Sequence, residues 1–300
     1  MAIFEGIIPA LVTPFDARGQ LDENMLRRLA EQFVGLGVQG LYLCGGTGEG
    51  VVLEAEERKR IATAVIDQVK GRVPVIVHVG SVSTPQSVDL AAHAASVKAD
   101  AIASVPPFYY GVSRDGIGRH YAAIAATSRL PLIIYNIPGA VNVTVTPAMA
   151  ADYVQAIPTL AGIKFSSYNL FEMWGMLQLQ EGRFTVLSGN DEILISSLAM
   201  GAHGGVGLTY NLMPGLYLEL YRRFGAGDLG RAREMQGYAN QVISILLRHP
   251  VLGSAKLMLK WKGYDCGLAR GPIDNPTEAQ QQSLRTELEK IGFFQKDFGL

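Results

Sequence analysis

The chain has 300 residues, of which 48% are hydrophobic and 18% are charged. This composition excludes an intrinsically disordered protein, because a disordered chain has too little apolar surface to bury to offset the entropy lost on ordering. The 26 Lys and Arg residues are balanced by 27 Asp and Glu residues, so the basic surface typical of nucleic-acid binding is not expected.

The sequence also indicates the cellular compartment of the protein. Its two cysteines, Cys44 and Cys266, lie in no Cys-x-x-Cys motif and are too few for a disulfide framework, which favours a reducing compartment. The first residues lack the basic region of a secretory signal. No uncharged apolar stretch reaches about 18 residues, so a membrane span is not expected. We therefore predict a cytoplasmic protein.

Short apolar runs alternate with helix-period segments through the first two thirds of the chain. The runs that read as strands are residues 7–12, 40–44, 73–79, 101–105, 130–135, 160–165, 184–187 and 204–208. The helical segments between them are residues 23–36, 55–69, 85–97, 116–127, 147–157, 170–179 and 192–200. Eight such repeats predict an α/β protein with a (β/α)8 TIM barrel. A doubly wound sheet is the competing architecture, but it usually has fewer strands.

The strand pattern stops after about Asn211. The remaining segments all have helical periodicity: residues 214–224, 230–247, 251–262 and 277–291. We interpret the first as the last barrel helix. The prediction is a barrel over residues 1–224 and a C-terminal helical extension over residues 225–300, packed on the barrel as one structural unit.

The most informative single residue is Lys164. In a TIM barrel the active site lies at the C-terminal ends of the strands. Lys164 places an amine in the otherwise apolar strand 160–165. Burial disfavours the charged form of an amine, and the neutral form is a nucleophile that captures a carbonyl substrate as a Schiff base. The alternative is a lysine that snorkels to water or pairs with a carboxylate.

Tyr135 ends the preceding strand and strengthens the first interpretation. Its phenol is expected beside the Lys164 amine, and a phenol both donates and accepts protons, as imine chemistry requires. A tyrosine at a strand end is more often a packing residue when it stands alone. Next to Lys164, the catalytic interpretation is favoured.

A glycine-rich loop, Gly-Gly-Thr-Gly-Glu-Gly at 45–50, follows the second strand. Its backbone N–H groups, around Gly46, and the Thr47 hydroxyl suit a phosphate or a keto-acid carboxylate. A simple tight turn is the alternative. The third glycine of a dinucleotide-binding motif is replaced by Val51, and the five histidines lack ligand spacing, so neither a cofactor nor a metal is expected.

Four motifs in order resemble those of the dihydrodipicolinate synthase / N-acetylneuraminate lyase superfamily, from Phe4 to about Ile291. They are Thr-Pro-Phe at 13–15, Gly-Gly-Thr-Gly-Glu at 45–49, Tyr-Asn-Ile-Pro at 135–138 and Gly-Ile-Lys at 162–164. The resemblance implies a pyruvate-handling class I aldolase in which Lys164 forms the Schiff base and Tyr135 shuttles protons. It also implies that Gly46, Thr47 and the backbone of Val206 hold the pyruvate.

The same resemblance implies a homo-oligomer, a dimer or a tetramer. In such an assembly Tyr109 would enter the neighbouring active site and complete a proton relay.

The motifs Gly-Asn-Asp-Glu at 189–192 and Thr-Tyr-Asn at 209–211 are more similar to the neuraminate lyase branch. The substrate-binding residues implied there are Gly189, Thr209 and the pair Asp191 and Glu192, which would face the hydroxylated tail of a sugar acid. Paired carboxylates suit several hydroxyl donors. The alternative is an acidic helix start favoured by the helix dipole.

Three positions depart from the family pattern. Ala140 stands where the synthase branch has an arginine, which argues against dihydrodipicolinate synthesis. Gly46 replaces the hydroxyl of the proton relay, and Leu208 replaces a serine near the sugar.

The leading hypothesis is therefore a Schiff-base lyase acting on pyruvate and a 2-keto sugar acid. The alternatives are a 4-hydroxy-tetrahydrodipicolinate synthase, a keto-deoxy sugar-acid dehydratase, a non-catalytic keto-acid binder and a phosphate-binding barrel enzyme.

Overall fold

The computed structural model describes residues 4–300 and shows eight parallel strands in one sheet. The strands are β1 (Gly6–Pro9), β2 (Leu41–Leu43), β3 (Val75–His78), β4 (Ala101–Ser104), β5 (Leu132–Asn136), β6 (Leu160–Phe165), β7 (Thr185–Ser188) and β8 (Gly204–Gly207). Consecutive strands pair, β1 pairs with β8, and a bridge between Ala10 and Tyr42 joins β1 to β2. The predicted (β/α)8 barrel is confirmed.

Helices alternate with these strands and then continue alone. They are α1 (Glu23–Leu36), α2 (Ala55–Val69), α3 (Thr84–Ser96), α4 (Arg114–Ser128), α5 (Pro138–Val141), α6 (Pro147–Ala156), α7 (Leu170–Leu177), α8 (Leu194–Ala199), α9 (Pro214–Gly225), α10 (Leu229–Leu246), α11 (Val251–Trp261) and α12 (Glu278–Lys290). Within residues 4–300 no single helix is long and apolar enough to cross a membrane; only α10 and α11 together, bent by 115°, meet that length and composition.

Local signals explain why several helix boundaries agree with the predictions. Helix α1 begins after Asp22, whose carboxylate accepts a hydrogen bond from the Met25 N–H, and ends at Gly37 with φ +83°. Helix α8 begins later than predicted, because a 3-10 turn, Asp191–Ile193, precedes it. The short helix α5 was not predicted and starts at Pro138.

The apolar side chains form two clusters separated by the sheet. One fills the barrel and includes Ile8, Tyr42, Ile133, Tyr135 and Val206. The other lies between the strands and the helices. Because neighbouring residues of a strand point to opposite faces, the outward positions of Ile163 and Phe165 turn Lys164 into the barrel.

The C-terminal helices contact the loops at the mouth of the barrel. Gln236 and Asn240 of α10 donate hydrogen bonds to the carbonyls of Asp191 and Glu192, each at 3.0 Å. Lys256 of α11 pairs with Glu49 of the glycine-rich loop, with Nζ and Oε1 2.5 Å apart. The extension therefore supports the active-site end of the strands.

Candidate active site

Lys164 and Tyr135 lie side by side at the C-terminal ends of β6 and β5. They are paired residues in the strand register. Nζ of Lys164 is 4.2 Å from the centre of the Tyr135 ring, and the two residues are only 4% and 6% exposed. The structure therefore brings together the amine and the phenol that the sequence singled out.

A second tyrosine, Tyr42 of β2, completes the surroundings of this amine. Its ring centre is 4.7 Å from Nζ of Lys164, and it meets the Tyr135 ring edge to face at 6.1 Å and 78°. Sequence reasoning missed Tyr42. The available signal was its position between Leu41 and Leu43, whose outward side chains turn Tyr42 into the barrel.

His78 and Arg58 lie next to the two tyrosines. Their hydrogen bonds connect the C-terminal ends of β2, β3 and β4. Nδ1–H of His78 donates to the Cys44 carbonyl at 3.1 Å, and the Val105 N–H donates to Nε2 at 3.2 Å. Arg58 donates to the His78 carbonyl at 2.7 Å. Burial, reinforced by Arg58, lowers the pKa of His78 well below 6.5, so the ring is neutral. The centres of the His78 and Tyr135 rings are 5.8 Å apart. His78 therefore packs against Tyr135 while its hydrogen bonds connect the neighbouring strand ends.

The glycine-rich loop is shaped by close backbone approach. A Cβ at Gly50 would lie 1.8 Å from the Cys44 carbonyl oxygen, so only glycine fits there. The Thr13 hydroxyl fixes the loop by donating to the Gly48 carbonyl at 2.7 Å. Among residues 4–300, no acceptor takes a hydrogen bond from the N–H groups of Gly46 or Thr47. These two donors are available to an anion, as the cradle hypothesis requires.

The space around position 46 does not require a glycine. The nearest atom to a Cβ at this position is the Tyr135 hydroxyl oxygen, at 3.9 Å. A serine would fit here, so the missing relay hydroxyl is a feature of this sequence and not a consequence of crowding.

Asp191 lies just after β7, and one of its carboxylate oxygens is held by hydrogen bonds. Its Oδ2 accepts hydrogen bonds from the Thr209 N–H at 2.7 Å and the Thr209 hydroxyl at 2.6 Å. The Tyr217 hydroxyl in turn bonds to the Thr209 hydroxyl at 2.7 Å. A Cβ at Gly207 would lie 1.9 Å from Oδ1, so glycine in β8 makes room for the carboxylate. Burial raises the pKa of Asp191 from 3.8 to about 6, although the Thr209 hydrogen bonds oppose the shift.

The other predicted substrate contacts lie around Asp191. Glu192 is half-buried and accepts a hydrogen bond from the Tyr168 hydroxyl. Val206 faces the barrel interior on β8. A Cβ at Gly189 would lie 1.9 Å from the hydroxyl oxygen of Ser166, which is buried and has no hydrogen-bond partner among residues 4–300. Sequence reasoning missed Ser166, although it follows Lys164 by two positions.

Tyr109 is the one predicted site residue that the chain does not bring to the others. It is 86% exposed, has a positive φ of 81°, and packs edge to face on Tyr110 at 4.9 Å. Its proposed part in a relay therefore needs a second copy of the chain.

The chain is similar to known proteins over nearly its whole length. Residues 3–291 match the model of the dihydrodipicolinate synthetase family. The chain is 34% identical to an N-acetylneuraminate lyase of Rhizobium meliloti, covering 96% of this chain and 95% of that protein. It is 36% identical to an N-acetylneuraminate lyase of Salmonella agona, covering 96% and 97%.

Solved structures agree with this assignment. A sialic acid aldolase of Ruminococcus gnavus superposes with a TM-score of 0.93 at 29% identity, covering 98% of this chain and 99% of that one. A dihydrodipicolinate synthase of Aquifex aeolicus gives 0.90 at 30% identity, covering 97% and 99%. The resemblance predicted from the four motifs is confirmed, and the chain belongs to the dihydrodipicolinate synthetase family.

Proposed function

We propose that this chain is a Schiff-base lyase that cleaves or forms a carbon–carbon bond between pyruvate and the remainder of a 2-keto sugar acid. The observation that carries the proposal is the Lys164 amine, buried at the barrel mouth beside the Tyr135 phenol. The relatives named N-acetylneuraminate lyase support the sugar-acid class of substrate.

The proposed reaction begins at Lys164. Nζ attacks the C2 carbonyl of the 2-keto acid, and the carbonyl oxygen leaves as water, so that an iminium forms. Tyr135 takes up the proton of the C4 hydroxyl as the C3–C4 bond breaks, C4 becomes the carbonyl carbon of the released fragment, and the bond's electrons move into the iminium and give an enamine. Tyr135 supplies the proton that converts the enamine back to the iminium, and water releases pyruvate and Lys164. No metal or diffusible cofactor enters these steps.

The substrate carboxylate is assigned to the N–H groups of Gly46 and Thr47, with Val206 lining the same end of the barrel. Asp191 and Glu192 are assigned to the hydroxyl groups of the tail. Thr209 acts behind Asp191, because its hydroxyl is already engaged between Asp191 and Tyr217.

A second candidate is a keto-deoxy sugar-acid dehydratase, which uses the same iminium but expels a hydroxyl group as water. The specific observation in its favour is Gly46, which leaves Tyr135 without the relay hydroxyl although a serine would fit. Pyruvate release from a panel of sugar-derived 2-keto acids identifies the lyase, and loss of water without pyruvate identifies the dehydratase.

We also propose a cytoplasmic homo-oligomer. Cys44 and Cys266 are both buried and unpaired by a disulfide, which suits a reducing compartment. The exposed Tyr109 is assigned to the neighbouring active site of a dimer or tetramer. Mass measurement of the intact protein in solution tests the assembly, and a monomer at all concentrations would contradict it.

The decisive experiment is reduction with borohydride in the presence of pyruvate, followed by peptide mass spectrometry. We expect a reduced pyruvyl adduct on Lys164 of the wild-type protein and none in Lys164→Met. Folded wild-type protein without an adduct would overturn the proposal.

Tyr135→Phe separates imine formation from proton transfer. We expect exchange of the pyruvate methyl protons with solvent to fall by about 10²–10⁴, because the phenylalanine ring keeps the packing but carries no transferable proton. Proton nuclear magnetic resonance in deuterated water measures the exchange. Unchanged exchange would remove Tyr135 from the mechanism, and wild-type binding without exchange would favour a keto-acid binder.

A further inference from the structure

The amine of Lys164 lies against the rings of two tyrosines. Nζ is 4.2 Å from the centre of the Tyr135 ring and 4.7 Å from that of Tyr42. Both distances fall within the range of about 6 Å in which a cation is attracted by the negative face of an aromatic ring. The proposed mechanism assigns a proton-transfer role to Tyr135 but no role to Tyr42.

No carboxylate of residues 4–300 is in direct contact with this amine. Among residues 4–300, no carboxylate oxygen lies within 4.0 Å of Nζ, and no acceptor takes a hydrogen bond from it. Lys164 is nevertheless only 4% exposed. Asp191 acts on the charge of Lys164 from beyond this distance, so the two ring faces are the groups that stabilise a cation there by direct contact.

The Tyr42 hydroxyl does not explain why the residue is a tyrosine. It is buried and has no hydrogen-bond partner among residues 4–300. Burial holds the pKa of Tyr42 well above 10, so the ring stays neutral. A Cβ at Gly45 would lie 2.7 Å from Cε1 of Tyr42, so the glycine-rich loop begins with a residue that makes room for this ring. The contacts of Tyr42 in this site are therefore made by its aromatic ring and not by its hydroxyl group.

We propose that Tyr42 is a positioning residue whose ring face stabilises the iminium that Lys164 forms with a 2-keto acid. The inference rests on the proposed function. When Nζ attacks C2, the new C–N bond forms, the carbonyl oxygen takes up two protons and leaves as water, and one positive charge remains on the C=N group. The charge stays at the nitrogen that the two rings already contact, so Tyr42 favours the iminium over free amine and keto acid.

Graded fluorination tests this without a large change in shape. Tyr42 is replaced by phenylalanine and then by mono-, tri- and pentafluorophenylalanine, which progressively weaken the negative face of the ring. The equilibrium constant for imine formation comes from the borohydride-trapped fraction, read as intact mass over a series of pyruvate concentrations. We expect Tyr42→Phe to remain within about twofold of wild type and the constant to fall stepwise, by about tenfold in total.

If Tyr42 only filled space, the equilibrium constants for imine formation would not decrease in the order of fluorine content. The matched control is pentafluorophenylalanine at Phe33, a fully buried ring of α1 in the cluster outside the barrel, which we expect to leave the constant unchanged. Tyr42→Leu provides a second variant, because it keeps an apolar side chain and removes the aromatic face. We expect it to weaken imine formation at least as much as pentafluorination does.

The outcomes separate this inference from the proposed function. If wild type and Tyr42→Phe trap pyruvate on Lys164 while the fluorinated and leucine variants give the same constant as Tyr42→Phe, the role of Tyr42 is overturned and the lyase proposal stands. If folded wild-type protein gives no adduct, both are overturned.

Discussion

Two buried lysines of this chain have opposite surroundings. Lys256 has a fully buried side chain and forms an ion pair with Glu49, with 2.5 Å between Nζ and Oε1, and it donates a hydrogen bond to the Leu268 carbonyl. The Lys164 amine contacts the ring faces of Tyr42 and Tyr135 and forms no ion pair within residues 4–300. The Lys256 ammonium is occupied by the Glu49 carboxylate, whereas among residues 4–300 no side chain forms an ion pair or a hydrogen bond with the Lys164 amine, which is left accessible to a carbonyl substrate. This difference decides which of the two lysines suits covalent chemistry.

Asp191 leads to a pH-dependent prediction. Burial raises its pKa in the folded protein to about 6 from the usual 3.8. The folded state therefore binds a proton that the unfolded chain releases in this interval, so the contribution of Asp191 to stability falls as the pH rises from about 4 to about 6. Asp191→Asn removes this titration. We expect the free energy of unfolding of wild type, relative to Asp191→Asn, to fall by roughly 2–3 kcal/mol across the interval.

Urea unfolding of both proteins at a series of pH values measures this difference. All other titrating groups are common to the two proteins and cancel in the comparison. A difference that stays constant from about pH 4 to pH 7 would show that the carboxyl group titrates normally.

At the scale of elements, residues of the C-terminal extension hold the glycine-rich loop in place. Glu49 adopts a positive φ of 59°, and its fully buried carboxylate receives Nζ of Lys256 and, at 2.7 Å, the N–H of Arg270. The Arg270 side chain pairs with Glu57 at the start of α2. The loop that presents Gly46 and Thr47 therefore depends on residues more than 200 positions away.

Breaking the buried pair is expected to be costly. Lys256→Met leaves an uncompensated carboxylate and Glu49→Gln an uncompensated ammonium, so each should lower the free energy of unfolding by about 3–5 kcal/mol in urea titrations. The double variant removes both charges and should recover part of the loss. Arg231→Met breaks an exposed pair with Glu234 and should cost under about 1 kcal/mol. Single variants no more harmful than this control would contradict the structural role.

At the scale of the whole molecule, the contacts of α10 and α11 with the mouth loops support one folding unit, with residues 1–224 and 225–300 unfolding together. The chain has two tryptophans, one in each part: Trp174 in α7 and Trp261 in α11. In Trp261→Phe the fluorescence reports the barrel, and in Trp174→Phe it reports the extension. We expect the fluorescence and circular dichroism midpoints in urea to coincide within each variant.

Different fluorescence and circular dichroism midpoints within one variant would show that the two parts unfold separately. The comparison within a variant matters, because each substitution changes stability by its own amount. Wild type provides the reference transition.

Much of this architecture was predictable from local sequence. Strand and helix periodicity is a property of neighbouring residues, so the eight repeats predicted the barrel, and the caps around Asp22 and Gly37 set the limits of α1. Strand ends share one edge of a barrel, so Lys164 and Tyr135 were predicted to meet. The sequence by itself therefore determined the fold class and the placement of Lys164 beside Tyr135.

The surroundings of that pair were decided only by the tertiary structure. Three of the surrounding residues come from different elements: Tyr42 from β2, His78 from β3 and Arg58 from α2. They meet at the site because closure of the barrel brings these elements together. Lys256 meets Glu49 because the helical extension folds back on the barrel. No local pattern encodes such contacts, since they depend on which distant surfaces meet once the chain has closed.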